Sequence, residues 1–228
     1  WRVPAREFPI TDYGAVTGAV KNTSAFAKAI AACSSAGGGR VVVPKGKWFS
    51  GAIRLRSNCG LHLSEGAEVL FSQDPADYLP AVHTSWEGME CWNYSPLVYA
   101  YCCTNVSITG KGTLVGYEGE GKKTFWYPWV WQDNGIRDAR LQLYTWGAED
   151  VPVAERQIWK KPNANTRPHL LQINRCAGVL KSLLNVVGLF LGSAFLNSLR
   201  STLNEVLSVL QAETGDLTNS LDDVKLLC

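Results

Sequence analysis

What most constrains this chain is a run of short alternating segments between residues 40 and 73. "RVVVPKG", "GAIRLRSN", "GLHLSEG" and "AEVLFSQ" follow one another closely, each with apolar and polar residues in alternation. A period of two puts Val41/Val43, Ile53/Leu55, Leu61/Leu63 and Val69/Phe71 on the inward side of successive strands. The gaps hold Gly, Asn, Ser and Pro, the residues that make tight turns. Strands this short and this evenly spaced fit a sandwich, a barrel or a solenoid.

An internal echo favours the solenoid. "YCCTNVSITGKGTLVG" (101–116) and "NRCAGVLKSLLNVVG" (174–188) share Cys-x-x-Val with glycine further on, with Cys103 and Cys176 as the matching cysteines. In a solenoid each coil buries its apolar row only by stacking on its neighbours. The two cysteines are 73 residues apart, which leaves room for coils plus a long excursion.

The flanking segments have other periods. "NTSAFAKAIAACSSAGGG" (22–39) reads as an amphipathic helix, with Asn22 or Thr23 to cap it, Gly37 to end it, and Phe26, Ile30 and Cys33 on one face. The excursion runs from about Glu118 to Asn165 and is rich in tryptophan, and its "FWYPWVWQDNG" (125–135) is neither a clean strand nor a clean helix. Loops that leave a rigid scaffold often carry function. The faces of Trp126, Trp129 and Trp131 suit stacking on a sugar ring, while burial against the solenoid wall is the plainer reading for any one of them. From about Leu183 the text reads as helix. Leu196, Leu199, Leu203, Val206, Leu207 and Leu210 form a stripe at helical spacing. The expected division is therefore a β body over 1–180 and a Leu-rich helical tail over 181–228.

Composition removes several classes of function. The 228 residues carry a net charge of only +2, which speaks against a nucleic-acid binder. The most apolar stretch, Val186–Leu196, is 11 residues long, about half of what a spanning helix needs, so no membrane span is expected. None of the seven cysteines shows C-x2-C spacing and the three histidines are scattered, so no metal site is expected. Buried free thiols are the plainer reading, and the redox compartment stays open. The text begins at Trp1 and shows no signal peptide.

Several motifs together resemble glycoside hydrolase family 28, the polygalacturonases and related pectin hydrolases. They are "ITDYGAV" (10–16), "NTSAFAKAIAAC" with "GGGRVVVPKGKW" (37–48), "IRLRSNCGLHLSEGAEVLFSQDPADY" (53–78), "SWEGMECWNYSPLVYA" (85–100), "VSITGKGTLVG" (106–116) and "RPHLLQINRCAGVL" (167–180). The early cassette is shared with other pectin-lyase-like β-helices; "EGMECWNYSPLVYA" followed by "ITGKGTL" is more specific. The resemblance implies an all-β, right-handed parallel β-helix whose N-terminal end is capped by the 22–36 helix. It also implies inverting hydrolysis of α-1,4-galacturonosyl linkages in pectic polysaccharide or oligogalacturonate, no cofactor, a monomer, and secretion or periplasmic residence.

The family's catalytic motifs, N-T-D, G-D-D, G-H-G and R-I-K, are absent from this text. "TGDLTNSLDDVK" (214–225) offers Asp216, Asp222, Asp223 and Lys225, but at the wrong spacing. An inverting pair must stand about 6.5–9.5 Å apart across one bond. Six residues span roughly 20 Å extended, or about 9 Å helical on nearly opposite faces. Solvated helix-end charges are the better reading. Glu87 and Glu90 match family text without being its acids, and His169 reads as a strand residue. Arg167 could meet a uronate carboxylate, with a structural ion pair as the plainer role. The leading expectation is a polygalacturonase-like fragment without activity of its own. The competing readings are a non-catalytic pectin-binding β-helix and a pectin lyase-type enzyme.

Overall fold

The computed structural model describes residues 4–116, 135–161, 166, 168–181 and 185–187. The alternating segments stack as three parallel sheets. The first contains β1 (Glu7–Pro9), β2 (Gly39–Val43), β5 (Cys59–Leu63), β10 (Thr104–Gly110) and β13 (Ala177–Lys181), in that order across the sheet. The second contains β3 (Gly46–Ser50), β6 (Ala67–Phe71), β11 (Thr113–Val115) and β14 (Asn185–Val187). The third contains β4 (Ile53–Arg54), β9 (Val98–Tyr101) and β12 (Leu171–Asn174). Each coil visits the three sheets in turn, and every pairing between coils is parallel. This is a parallel β-helix, and the solenoid is the member of the three alternatives that holds.

The inward rows follow from the alternation. Val41, Leu61 and Ile108 lie side by side on three coils of the first sheet, as Trp48, Val69 and Leu114 do on the second and Ile53, Val98 and Leu171 on the third. All nine are buried. The Cys-x-x-Val echo is a true coil repeat: Thr104 pairs with Ala177 and Val106 with Val179, which sets Cys103 beside Cys176.

Backbone conformation repeats with the coils too. Gly38, Asn58, Asn105 and Gly178 fall at one coil position and all have positive φ, at 122°, 64°, 57° and 65°. Asn105 donates through Nδ2 to Asn58 Oδ1 at 2.9 Å. Asparagine tolerates the left-handed region because its short side chain bonds locally. At Gly178 a Cβ would stand 2.6 Å from Asn105 Oδ1, so the stack ends on a residue without one.

Helix α1 (Thr23–Ser35) is where the sequence puts it, burying Ala25, Phe26, Ala29, Ile30 and Cys33. It packs on β1, β2, β4 and β5. Asn22 does not cap it with its side chain. That amide instead ties down the preceding loop, accepting from Val16 N at 2.8 Å and donating to the carbonyls of Val16, Val20 and Phe49.

Two expectations need correction. Asn185–Val187, read as the start of helix, is strand β14, in register with Thr113–Val115. An apolar run such as "LLNVVGLFLG" satisfies either period, and only a partner strand of matching register decides. The division at residue 180 therefore comes too early, and the β body continues at least to Val187. The excursion also contains a helix, α2 (Gly135–Ala148), that the sequence reading missed. The Leu196–Leu210 stripe lies outside the described residues, as do Asp216, Asp222, Asp223 and Lys225.

Candidate functional site: an aromatic and basic ledge beside the third sheet

Two consecutive coils interrupt themselves at the same corner, between the second sheet and the third. The chain leaves after β6 and returns at β9, then leaves after β11 and returns at β12. The first departure forms an antiparallel hairpin of β7 (Val82–Trp86) and β8 (Met89–Asn93). The second supplies α2. Trp86 and Cys91 from the hairpin meet Ala139 and Leu143 from α2, with Ile158 closing a small core and Met89 and Trp146 at its margin. Burial in that core pushes the Cys91 thiol up to about 12.

The hairpin is fastened to the third sheet by polar side chains. Thr84 donates to Gln172 of β12, and Gln172 Nε2 donates to Ser85 O at 3.1 Å. The Tyr99 hydroxyl donates to His83 O. Thr166 donates to Asn93 Oδ1 at 2.8 Å. Arg54 donates to Pro80 O at 2.8 Å, and its burial lowers its pKa. These buried pairings fix one docking geometry, although His83 Nδ1 is buried there without a hydrogen-bond partner.

The outcome is a ledge of rings and charges. Tyr99 and Tyr101, both on β9, stack at 6.3 Å with planes 7° apart. His83 lies 4.9 Å from Tyr101 and meets Trp92 edge-on at 6.1 Å. Arg175 has its guanidinium 6.0 Å from the Tyr101 ring and is paired with Glu90 at 2.5 Å. The hydrogen bond to Glu90, then its charge, raises the Arg175 pKa. Arg175 and Cys102 occupy equivalent coil positions and share a left-handed backbone, with φ of 53° and 51°. That conformation turns the chain from the third sheet to the first at the place where Arg175 stands exposed. A ring face beside a cation suits a sugar acid, whose apolar face stacks while its carboxylate finds the charge.

The two nearby carboxylates are already engaged, Glu90 with Arg175 and Glu87 with Arg140, where both Arg140 nitrogens reach the carboxylate at 2.5 and 2.6 Å. Among the described residues no group of three or more His, Cys, Asp or Glu could hold a metal ion. Trp126, Trp129, Trp131 and Arg167 lie outside the described residues. Two other tryptophans are plain core: Trp48, which donates to Pro44 O at 2.7 Å, and Trp86. The Tyr101, His83, Trp92, Arg175 and Glu90 cluster was missed from sequence. Its one signal was "VYAY", whose alternation sends Tyr99 and Tyr101 to the same outward face.

The stacked parallel coils with a ring-lined corner define the chain as a parallel β-helix. The comparisons narrow the class. The chain is 34% identical over 125 residues to a probable polygalacturonase of Vitis vinifera, covering 50% of this chain and 25% of that protein. It is 47% identical over 116 residues to the exo-poly-alpha-D-galacturonosidase of Dickeya chrysanthemi, covering 47% of this chain and 19% of that protein. The crystal structure of an exopolygalacturonase from Thermotoga maritima superposes with a TM-score of 0.73 at 36% identity, over 81% of this chain and 42% of that one. A family 28 exopolygalacturonase of Yersinia enterocolitica shares the fold at 22% identity with a TM-score of 0.51, over 80% of this chain and 35% of that one. No protein-family model matches the chain. The chain is thus similar to polygalacturonases over about half of its length, as a partial match. It spans a quarter or less of the length of the two curated relatives.

Proposed function

We propose that residues 1–228 are the substrate-gripping part of a polygalacturonase-type hydrolase, one that cleaves α-1,4-galacturonosyl linkages with inversion, and that this polypeptide alone binds the polymer without cutting it. The observation that carries the binding half is the ledge, where Tyr101 and the exposed Arg175 stand together beside a fastened hairpin. Trp126, Trp129, Trp131 and Arg167 belong to the same grip on chemistry and on chain position, the tryptophans in the second excursion and Arg167 next to Thr166, which bonds the hairpin. The inactive half rests on the absence of N-T-D, G-D-D, G-H-G and R-I-K from the sequence. Without a positioned acid and base there is no proton transfer to the leaving oxygen and no activated water. In this reading the protein is a monomer working outside the cytoplasm, where pectin is found, and α1 caps the N-terminal end of the solenoid by covering β1 and β2. Among the described residues no helix is long and apolar enough to cross a membrane.

Two measurements on the purified chain test this. Oligogalacturonate should quench tryptophan fluorescence on binding, Arg175→Ala should weaken binding about tenfold, and neutral oligosaccharides of equal length should not compete. Reducing-sugar assays on polygalacturonate should stay at background. Sugar release that Asp222→Asn or Asp223→Asn abolishes would overturn the inactive half. Unchanged affinity in Arg175→Ala would overturn the ledge.

A further inference from the structure

We infer that Cys33 and Cys59 form a redox pair that closes to a disulfide and pins α1 to the second coil of the solenoid. Both side chains are fully buried, Cys33 on the last turn of α1 and Cys59 at the start of β5. The Cys59 thiol donates to Ile30 O at 3.5 Å, one helical turn before Cys33 and on the same face. Each thiol is also the largest influence on the other's ionisation, and α1 packs directly on β5. The backbone around them is held from both sides. Gly38 N donates to Cys33 O at 3.0 Å, Ser34 Oγ donates to Ser57 O at 3.1 Å, and Gly39 pairs with Cys59 across β2 and β5. A disulfide needs Cβ atoms about 3.5–4.5 Å apart, and a helix end against a strand end is not held to the fixed spacing of paired strands.

The other neighbouring thiols differ in this respect. Cys103 and Cys176 lie in register on adjacent parallel coils, with Cys103 N donating to Cys176 Sγ at 3.3 Å. In-register parallel positions hold their Cβ atoms about one strand spacing apart, roughly 4.8 Å, beyond the range of about 3.5–4.5 Å for a disulfide.

The pair is also chemically asymmetric. Cys59 is the more acidic thiol, lowered by its hydrogen bonds with Cys33 and Ser34, while Cys33 is raised by the same partner and by burial. With α1 undocked, Cys59 is exposed and, as its thiolate, makes the first attack. It attacks one sulfur of a disulfide oxidant such as glutathione disulfide and expels one thiolate. Cys33, losing its proton to that thiolate, then attacks the Cys59 sulfur and expels the second. The chain loses two hydrogens and the oxidant becomes two thiols. Burial requires this exchange to occur before α1 docks or during an opening of its last turn.

The full chain should be refolded in a glutathione redox buffer, alkylated without reduction, digested and mapped by mass. The expected product is a peptide pair linked through Cys33 and Cys59, lighter by two hydrogens than the sum of its thiol forms. The wild-type melting temperature should rise by about 5 °C or more on oxidation, as closing a loop of about 25 residues predicts. The rise should vanish with dithiothreitol and be absent in Cys33→Ala. Cys59→Ser provides the same control should Cys33→Ala fold poorly. Alkylation of both Cys33 and Cys59 after oxidative refolding would overturn the inference, as would links confined to Cys102, Cys103 or Cys176.

Discussion

His62 shows how coil stacking sets the properties of a single side chain. On the outward face of the first sheet it bonds Thr109 of the next coil at 2.9 Å. Burial, then the charge of Arg40 on the preceding coil, lowers its pKa from 6.5, against a smaller opposing effect of Glu7. The folded protein thus takes up this proton at lower pH than the unfolded chain does. Stability from His62 is fully present above the ordinary histidine range and is lost as pH falls through that range towards the folded value. Denaturation midpoints at pH 7.5, 6.5 and 5.5 should therefore drop more steeply in the wild type than in His62→Gln, which keeps a hydrogen-bonding group for Thr109. Equal slopes would mean that the folded protein binds the proton as readily as the unfolded one.

Among the elements, those that build the solenoid were legible because each strand carries its own alternation. Val41, Leu61, Val69 and Ile53 point inward as their spacing demands. The hairpin and α2 were not legible, because neither buries a face against the solenoid core. They bury faces against each other, and the partners Trp86 and Leu143 are separated by more than fifty residues of sequence. The ledge was missed for the same reason: Tyr101, His83 and Arg175 come from three separate segments, and no local pattern joins them. Strand β14 was misread because the three residues Asn185–Val187 are too few to show a period of their own. The mutual packing makes a prediction for the pair. Leu143→Ala removes a fully buried side chain from the small core, so it should cost about 3 kcal/mol locally. Its amide exchange should accelerate across Val82–Asn93 while β2, β5 and β10 keep their protection. Uniform acceleration through the whole chain would show that excursions and solenoid unfold as one.

For the whole molecule, stability is close to a sum over neighbouring coils. Leu61 sits between Val41 and Ile108, buried from both sides. Leu61→Ala breaks two interfaces at once and should cost about 4 kcal/mol, near the upper end for such truncations. Phe8→Ala, on the edge strand β1 with a single neighbouring strand in its sheet, should cost less despite its larger side chain. Urea denaturation of the two variants gives the comparison, and a larger loss for Phe8→Ala would reject the nearest-neighbour picture.

The corner from which both excursions depart has a further consequence. Between the first and second sheets the chain turns within two or three residues, at Pro44–Lys45, Ser64–Gly66 and Lys111–Gly112. Between the second and third it travels from Phe71 to Val98 on one coil and from Val115 to Leu171 on the next, yet β4, β9 and β12 still align residue for residue. The coil register is thus indifferent to how much chain is spent at that corner. It is a port into which segments can be grafted, shortened or exchanged while the scaffold keeps its pitch, so new specificities can be engineered there without redesigning a single inward-facing row.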